Sequence, residues 1–339
     1  RNLDGIPSPR CMEPLTDGVL EMTDLKSVGI LGAGTMGHAL ALVHAAGGLD
    51  VRLTDNNAET LARAPALIAS ALDTLVTAGA MDEAGRQATL DRITTVPTLA
   101  ATVDAADLIV EAVVENADVK RQVYAEIDAA AKADAIIASN TSHLDIFPLV
   151  PASRQAMTLI AHWYTPPYIC DLVDLAPGPE TKPEVMSTMR DLYLGMGKEP
   201  IVFKTMIDGY IANRLQAAMH LEVFHLLDEG LVTAEDIDRS VRHGLALRFA
   251  TLGIMRKADF TGLDMMRRAV TNATYKPPEV TGKSETLEKL VAAGRGGVMS
   301  GAGFFDYGNH PPQELFRERD IELIELKRAL QAIERKRKA

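Results

Sequence analysis

The chain has 339 residues and a formal net charge of −11, a balance that repels nucleic acid and anionic membrane alike. Hydrophobic residues make up 47% and aromatics only 5%, which suits helices packed on a parallel sheet better than a β-sandwich. The two cysteines, Cys11 and Cys170, are too few for a disulfide framework, no apolar run reaches the roughly 18–20 residues of a membrane helix, and no signal peptide opens the chain, so the reducing cytoplasm is expected.

Residues 1–21 carry Pro7, Pro9, Pro14 and Gly18 without an apolar period, and read as an expression scar or an irregular extension. The apolar run 27–31 predicts a buried strand. The loop Gly32-Ala33-Gly34-Thr35-Met36-Gly37 follows it. A helix over 35–46 stops at Gly47 and Gly48, and a strand over 51–54 ends at Asp55. Helices over 58–79 and 82–92, a strand over 108–113 and a helix over 117–132 come next. Strands are expected over 135–138, 159–164, 172–175 and 200–203, with a helix over 183–195 before the last. From there only helices are expected, over 209–229, 234–243, 262–270 and 314–336. This order predicts an α/β protein: a doubly wound Rossmann domain over 22–205, then a smaller all-helical domain over 206–339.

The glycine loop follows a strand, opens a helix, and is answered by an acid at the end of the next strand, the pattern of a dinucleotide site. Gly32 permits the tight turn, Gly34 lets backbone approach the pyrophosphate, and Gly37 lets helix and strand pack closely. Asp55, 18 positions after Gly37, would accept hydrogen bonds from the adenosine ribose and repel a 2′-phosphate, so NAD is expected rather than NADP. The alternative is that Asp55 caps the helix starting near Ala58. Neither HExxH nor a cysteine ligand spacing occurs, so no metal is expected.

Further motifs follow the later strands: Ser139-Asn140-Thr141-Ser142, then His162-Trp163-Tyr164-Thr165-Pro166-Pro167, then Asp174. Together with GAGTMG at Gly32, VEAVVEN ending at Asn116, GYIANRL at Gly209, EGLVTAEDID at Glu229 and SGAGFF at Ser300, they make the chain resemble the L-3-hydroxyacyl-CoA dehydrogenase family. The resemblance covers Lys26 to about Tyr307. It implies a Rossmann domain followed by a helical domain that contributes to the substrate cleft and usually makes a homodimer.

By the same resemblance His162 matches the catalytic base and Asp174 its carboxylate partner. Imidazole chemistry agrees, because oxidising an alcohol requires a base with a pKa near neutrality to take the hydroxyl proton. Ser142 and Asn213 match residues that bind the substrate oxygens, and Ser142 also counts among the cofactor contacts. Glu115 and Lys120 match contacts near the nicotinamide ribose. Plainer readings stand beside these: Ser142 as the cap of a helix from Leu144, and Glu115 with Lys120 as an exposed pair.

Three positions and one helix depart from the family pattern. Asp174 stands where the family has Glu, Thr165 where it has Asn, and Met299 where it has Lys. The helix at 58–79 holds Arg63 as its only basic residue, where acyl-CoA-using members carry lysines. A phosphate-bearing carrier needs fixed positive charge. Pro166-Pro167-Tyr168, Pro179-Glu180-Thr181 and the segment 244–248 resemble the non-CoA branch, L-gulonate 3-dehydrogenase and the lambda-crystallins, and HWxxPP resembles a pyridine-carboxylate dehydrogenase. The expected substrate is therefore a small free hydroxy acid, its carboxylate met by Arg248, with Arg214 and His143 behind it. Arg248 in an ordinary ion pair, an acyl-CoA substrate, and a non-catalytic NAD-binding protein like the crystallins are the alternatives.

Overall fold

A computed structural model of the chain describes residues 25–272 and 275–338; the expectation for residues 1–21 lies outside them. The fold divides into two compact units. One holds the described residues up to 62, together with 91–141 and 145–206; the other holds 63–90, 142–144 and 207 onward.

The first unit is an eight-stranded sheet. Its strands are β1 (Ser27–Leu31), β2 (Asp50–Thr54), β3 (Ile93–Thr95), β4 (Leu108–Glu111), β5 (Ile136–Ser139), β6 (Thr158–Trp163), β7 (Leu172–Pro177) and β8 (Glu199–Val202). They lie in the order β3-β2-β1-β4-β5-β6-β7-β8. The strands from β3 to β6 in this row pair in parallel, while β7 runs antiparallel to β6 and parallel to β8. The central strands are buried along their length and mostly apolar because helices cover both faces. Ile30, Leu53, Ile109, Ile137 and Leu159 form the middle of that core.

The winding reverses between β1 and β4, so the crevice expected to take a ligand opens at the carboxyl ends of these two strands. Three local features escape the sequence pattern. Strand β3 is three residues long with two threonines, too short and too polar for a periodicity to show. Helix Leu99–Val103 is a single turn and a half, started by Thr98 accepting from the Ala101 N–H. The antiparallel turn from β6 to β7 has no helix in it, which breaks the strand–helix alternation.

In the second unit, helices Tyr210–Asp228, Ala234–Ser240, Leu247–Thr261, Leu263–Asn272, Glu285–Ala292 and Pro312–Lys338 dominate. The expected helix at 234–243 does not end there. It passes through a wider turn at Val241–Ala246 into the next helix. Helix Glu285–Ala292 was not expected; Ser284 Oγ caps it by accepting from the Leu287 N–H. Among the described residues the unit has only isolated β-bridges, at Gly297–Ala302 and Ala302–Asp306. No described helix is long and apolar enough to cross a membrane.

Candidate active site

The glycine loop packs as its residue types require. Gly32 has φ +97°, and a Cβ there would lie 2.5 Å from the Ala112 carbonyl oxygen. A Cβ on Gly37 would sit 1.7 Å from the carbonyl oxygen of Gly32, so only glycine lets the helix Gly37–Ala46 approach the strand. Gly34 is different: a Cβ there meets nothing within 4 Å. Its open face leaves room for a ligand's phosphates against the backbone. No side chain caps the start of the following helix, so its first N–H groups and its positive dipole end suit an anion.

Asp55 closes this loop from the end of β2. Its Oδ2 accepts from the Ala33 N–H at 2.7 Å and its Oδ1 from the Asn57 N–H at 2.8 Å. The cap of the next helix is Asn57 instead, whose Oδ1 accepts from the N–H groups of Glu59 and Thr60. The capping alternative for Asp55 is thereby removed. Two N–H donors fix the carboxylate while each oxygen keeps further acceptor capacity, as binding a ribose diol requires. The loop and Asp55 together fit a dinucleotide.

Beside the loop, β4 ends in a buried acid. Glu111 is 0% exposed and accepts from Lys120 Nζ at 2.7 and 2.8 Å, from Tyr124 Oη at 2.7 Å and from Ser139 Oγ at 2.6 Å. Burial, and then the adjacent Glu111 charge, hold the Tyr124 phenol above its ordinary range, so it stays a neutral donor. Lys120 is buried, against the reading of an exposed pair. Its Nζ also stands 3.3 Å from Glu115 Oε2, while Glu115 Oε1 accepts from Thr141 Oγ1 at 2.6 Å. Lys120 thus connects a buried carboxylate to the half-exposed Glu115. Sequence reasoning missed Glu111. The available signal was an acid inside an otherwise apolar strand, a place charged groups occupy only when paired.

His162 lies on β6 near its carboxyl end, directly opposite Asp174 in the antiparallel ladder with β7. Both are almost fully buried, and His162 Nδ1 is 3.7 Å from Asp174 Oδ2. Tyr164 adds a contact that sequence reasoning missed: its Oη donates to the same Asp174 Oδ2 at 2.5 Å. Its ring meets that of His162 edge to face, centroids 4.7 Å apart. Position i+2 from the histidine, on the same side of the extended chain, was the signal for it. Asn140 Oδ1 accepts from the Trp163 N–H at 2.9 Å, tying the segment after β5 to the histidine strand. Thr165 Oγ1 reaches Met36 Sδ at 3.2 Å, joining the glycine loop to the segment after His162.

The glycine loop, Asp55, Glu111, Asn140 and His162 therefore lie toward the carboxyl ends of parallel strands of one sheet, and Asp174, near the amino end of the antiparallel β7, joins them from the next strand. A buried imidazole facing a carboxylate across a ladder can accept a proton and have the resulting charge stabilised.

The other candidates belong to the helical unit. Ser142 and His143 group with it, although Thr141 groups with the unit that holds the sheet. No α-helix begins at Leu144; only a 3₁₀ turn forms at Phe147–Leu149, whose Phe147 N–H is met by Asp145 Oδ1. Ser142 is therefore not a helix cap. Asn213 and Arg214 sit in the first turn of the helix Tyr210–Asp228, and Arg214 donates to the Asp208 carbonyl at 3.2 Å. Arg248 Nε donates to the Gly244 carbonyl at 2.9 Å, and among the described residues no carboxylate lies in ion-pair range of it.

Comparison with known proteins decides the family. Residues 27–206 match the model of the 3-hydroxyacyl-CoA dehydrogenase NAD-binding domain, and residues 209–307 match that of the C-terminal domain. The chain belongs to the 3-hydroxyacyl-CoA dehydrogenase family. As a member it is an NAD-dependent oxidoreductase. The 5-formyl-3-hydroxy-2-methylpyridine 4-carboxylate 5-dehydrogenase of Mesorhizobium japonicum is 30% identical over 316 residues, 91% of this chain and 100% of that one. A 3-hydroxybutyryl-CoA dehydrogenase of Bradyrhizobium diazoefficiens is 31% identical over 296 residues, 85% of this chain and 97% of that one. The crystal structure of a 5-formyl-3-hydroxy-2-methylpyridine 4-carboxylic acid 5-dehydrogenase, an NAD⁺-dependent dismutase, matches with a TM-score of 0.81 at 28% identity, covering 91% of this chain and 99% of that one. This member of the 3-hydroxyacyl-CoA dehydrogenase family thus resembles relatives named for a free acid as well as one named for a CoA ester.

Proposed function

We propose that the protein oxidises a hydroxyl β to a carboxyl-level carbon, on a small free hydroxy acid. The buried cross-strand pair His162–Asp174, at the same sheet edge as the glycine loop, carries this reading. Bound NAD supplies the hydride acceptor. His162 takes the hydroxyl proton, and Asp174 stabilises the imidazolium from the Nδ1 side. The loop Gly32-Ala33-Gly34-Thr35-Met36-Gly37 and Asp55 hold the adenosine diphosphate end. Glu115, Lys120 and Ser142 serve the nicotinamide ribose side. Ser142 and Asn213 bind the substrate oxygens, and Arg248, with Arg214 and His143, meets the carboxylate.

The free acid is favoured by the helix Ala58–Thr77, whose one basic residue is Arg63. It is also favoured by the likeness to a dehydrogenase named for a pyridine carboxylate. One observation favours an acyl-CoA instead: Arg317 and Arg328 of the last helix donate to Thr77 and Ala78, so cations do stand at that helix's end. We take residues 22–205 as the NAD-binding domain and 206–339 as the domain of substrate cleft and dimerisation. Met255, Phe260 and Val270, each more than 70% exposed, support a homodimer. The cytoplasm is the compartment we assign.

Initial rates decide the substrate. Acetoacetyl-CoA with NADH is compared with 3-hydroxybutyrate, L-gulonate and L-carnitine with NAD. Turnover of a free acid and none of acetoacetyl-CoA is expected; brisk acetoacetyl-CoA reduction overturns the free-acid reading. His162→Ala is expected to lose roughly 10²–10⁴-fold in kcat while keeping the wild-type far-UV circular dichroism. Undiminished turnover in that variant removes His162 as the base.

A further inference from the structure

We infer that Tyr164 is a positioning residue for the His162–Asp174 pair, making an aspartate serve where the reach to the histidine is long. This rests on the reading of His162 as the base. Three distances carry it. Asp174 Oδ2 lies 3.7 Å from His162 Nδ1, beyond a hydrogen bond. The same oxygen accepts from Tyr164 Oη at 2.5 Å, the length of a strong bond to a carboxylate. The Tyr164 and His162 rings touch edge to face at 4.7 Å. Asp174 Oδ1 is buried with no partner among the described residues, so Oδ2 is the oxygen with a donor.

Backbone geometry explains why the tyrosine reaches. His162 and Asp174 are directly opposed on β6 and β7, so the aspartate is held at a fixed distance from the ring by the ladder. In the rotamer it adopts, the aspartate carboxylate stops 3.7 Å short of the ring nitrogen. Tyr164, two residues beyond His162, leans over the imidazole and hydrogen-bonds the carboxylate on the side facing the histidine. The phenol selects one carboxylate rotamer and disperses its charge in a buried setting, where that charge has little water to stabilise it.

The sign of the effect follows. With the imidazole neutral the pair carries one negative charge, which the phenol stabilises. With the imidazole protonated the pair is neutral and gains less from the phenol. Removing the hydroxyl therefore raises the proton affinity of the pair.

The test is an NMR titration of the His162 ring in the NAD-bound full chain, in wild type, Tyr164→Phe, Asp174→Glu and the double variant. The His162 signal is assigned by its loss in His162→Ala. In Tyr164→Phe the His162 midpoint is expected to move up by about one pH unit. In the Asp174→Glu background, where the longer carboxylate reaches the ring unaided, the same substitution is expected to move it much less. A Tyr164→Phe titration that overlays wild type overturns the proposal, and so does an equal shift in both backgrounds. If Tyr164→Phe does not fold, the comparison is made with Tyr164→Leu, whose side chain carries no hydrogen-bond donor, and the same two outcomes apply. Neither depends on turnover, so failure of His162 as the base, read from His162→Ala kinetics, is seen separately.

Discussion

Lys120 Nζ stands 2.7 and 2.8 Å from the two oxygens of Glu111, and neither side chain is more than 1% exposed. Such a pair is a weak source of net stability but a costly one to break, because the remaining charge is left in a medium that cannot solvate it. Lys120→Met is expected to cost about 3–5 kcal/mol, read from the urea midpoint. Lys120→Met combined with Glu111→Leu is expected to be more stable than Lys120→Met alone. A single variant within 1 kcal/mol of wild type would show that the pair is not desolvated as the structure has it.

Gly37 and Gly34 of the loop are expected to separate folding from binding. Gly37→Ala drives a Cβ to 1.7 Å from backbone oxygen, so it should lower the unfolding temperature or prevent folding. Gly34→Ala meets no protein atom within 4 Å, so stability should hold while NAD affinity falls. Calorimetric unfolding and NAD titration of the two variants check this. A Gly34→Ala protein that binds NAD as wild type does would move the phosphates elsewhere.

Asp55→Ala removes the acceptor at the end of β2 and frees the Ala33 N–H it holds at 2.7 Å. A hydrogen bond to a charged group is worth about 1.5–3 kcal/mol, so the NAD dissociation constant should rise roughly 10–100-fold. NADP should lose less, because the same change removes a charge facing its 2′-phosphate. Equal losses for both cofactors would contradict the role given to Asp55.

His44 is fully buried and its ring is packed against Trp163 and Tyr193. Burial lowers its pKa to about 4, with the Leu40 carbonyl opposing and the Lys198 charge adding to the shift. The unfolded chain, with an ordinary histidine near 6.5, takes up the proton first as pH falls. This site therefore removes no stability above about pH 6.5, erodes it between about 6.5 and 4, and adds no further loss below. The total is on the order of 3 kcal/mol. Urea midpoints measured from pH 7 to 4 should fall less steeply in His44→Gln than in wild type. Parallel curves would mean that folded and unfolded chains protonate His44 over the same pH range.

Much of the sheet was legible because its central strands are continuous apolar runs with both faces covered, a local signature. The glycine loop was legible for a related reason: a positive φ and two close backbone approaches leave no residue but glycine at Gly32 and Gly37. Strand β3 was not, since a three-residue edge strand is made by pairing with β2 and has almost no pattern of its own. Glu111 and Tyr164 were missed because each acts on a residue distant along the chain. Glu111 accepts from Ser139, 28 positions on, and Tyr164 donates to Asp174 across a ladder.

The sequence by itself determined the family, the cofactor class and the identity of the candidate base, because these rest on residue types at short spacings. The antiparallel step from β6 to β7 was decided only in three dimensions, and with it the face-to-face placement of His162 and Asp174. So were the burial of Lys120 on Glu111 and the hydrogen bond from Tyr164 to the aspartate oxygen that faces the imidazole. Spacing along the chain carries no information on which side chains meet across a sheet. Strand direction and register settle that, and both arise from the packing of the whole core.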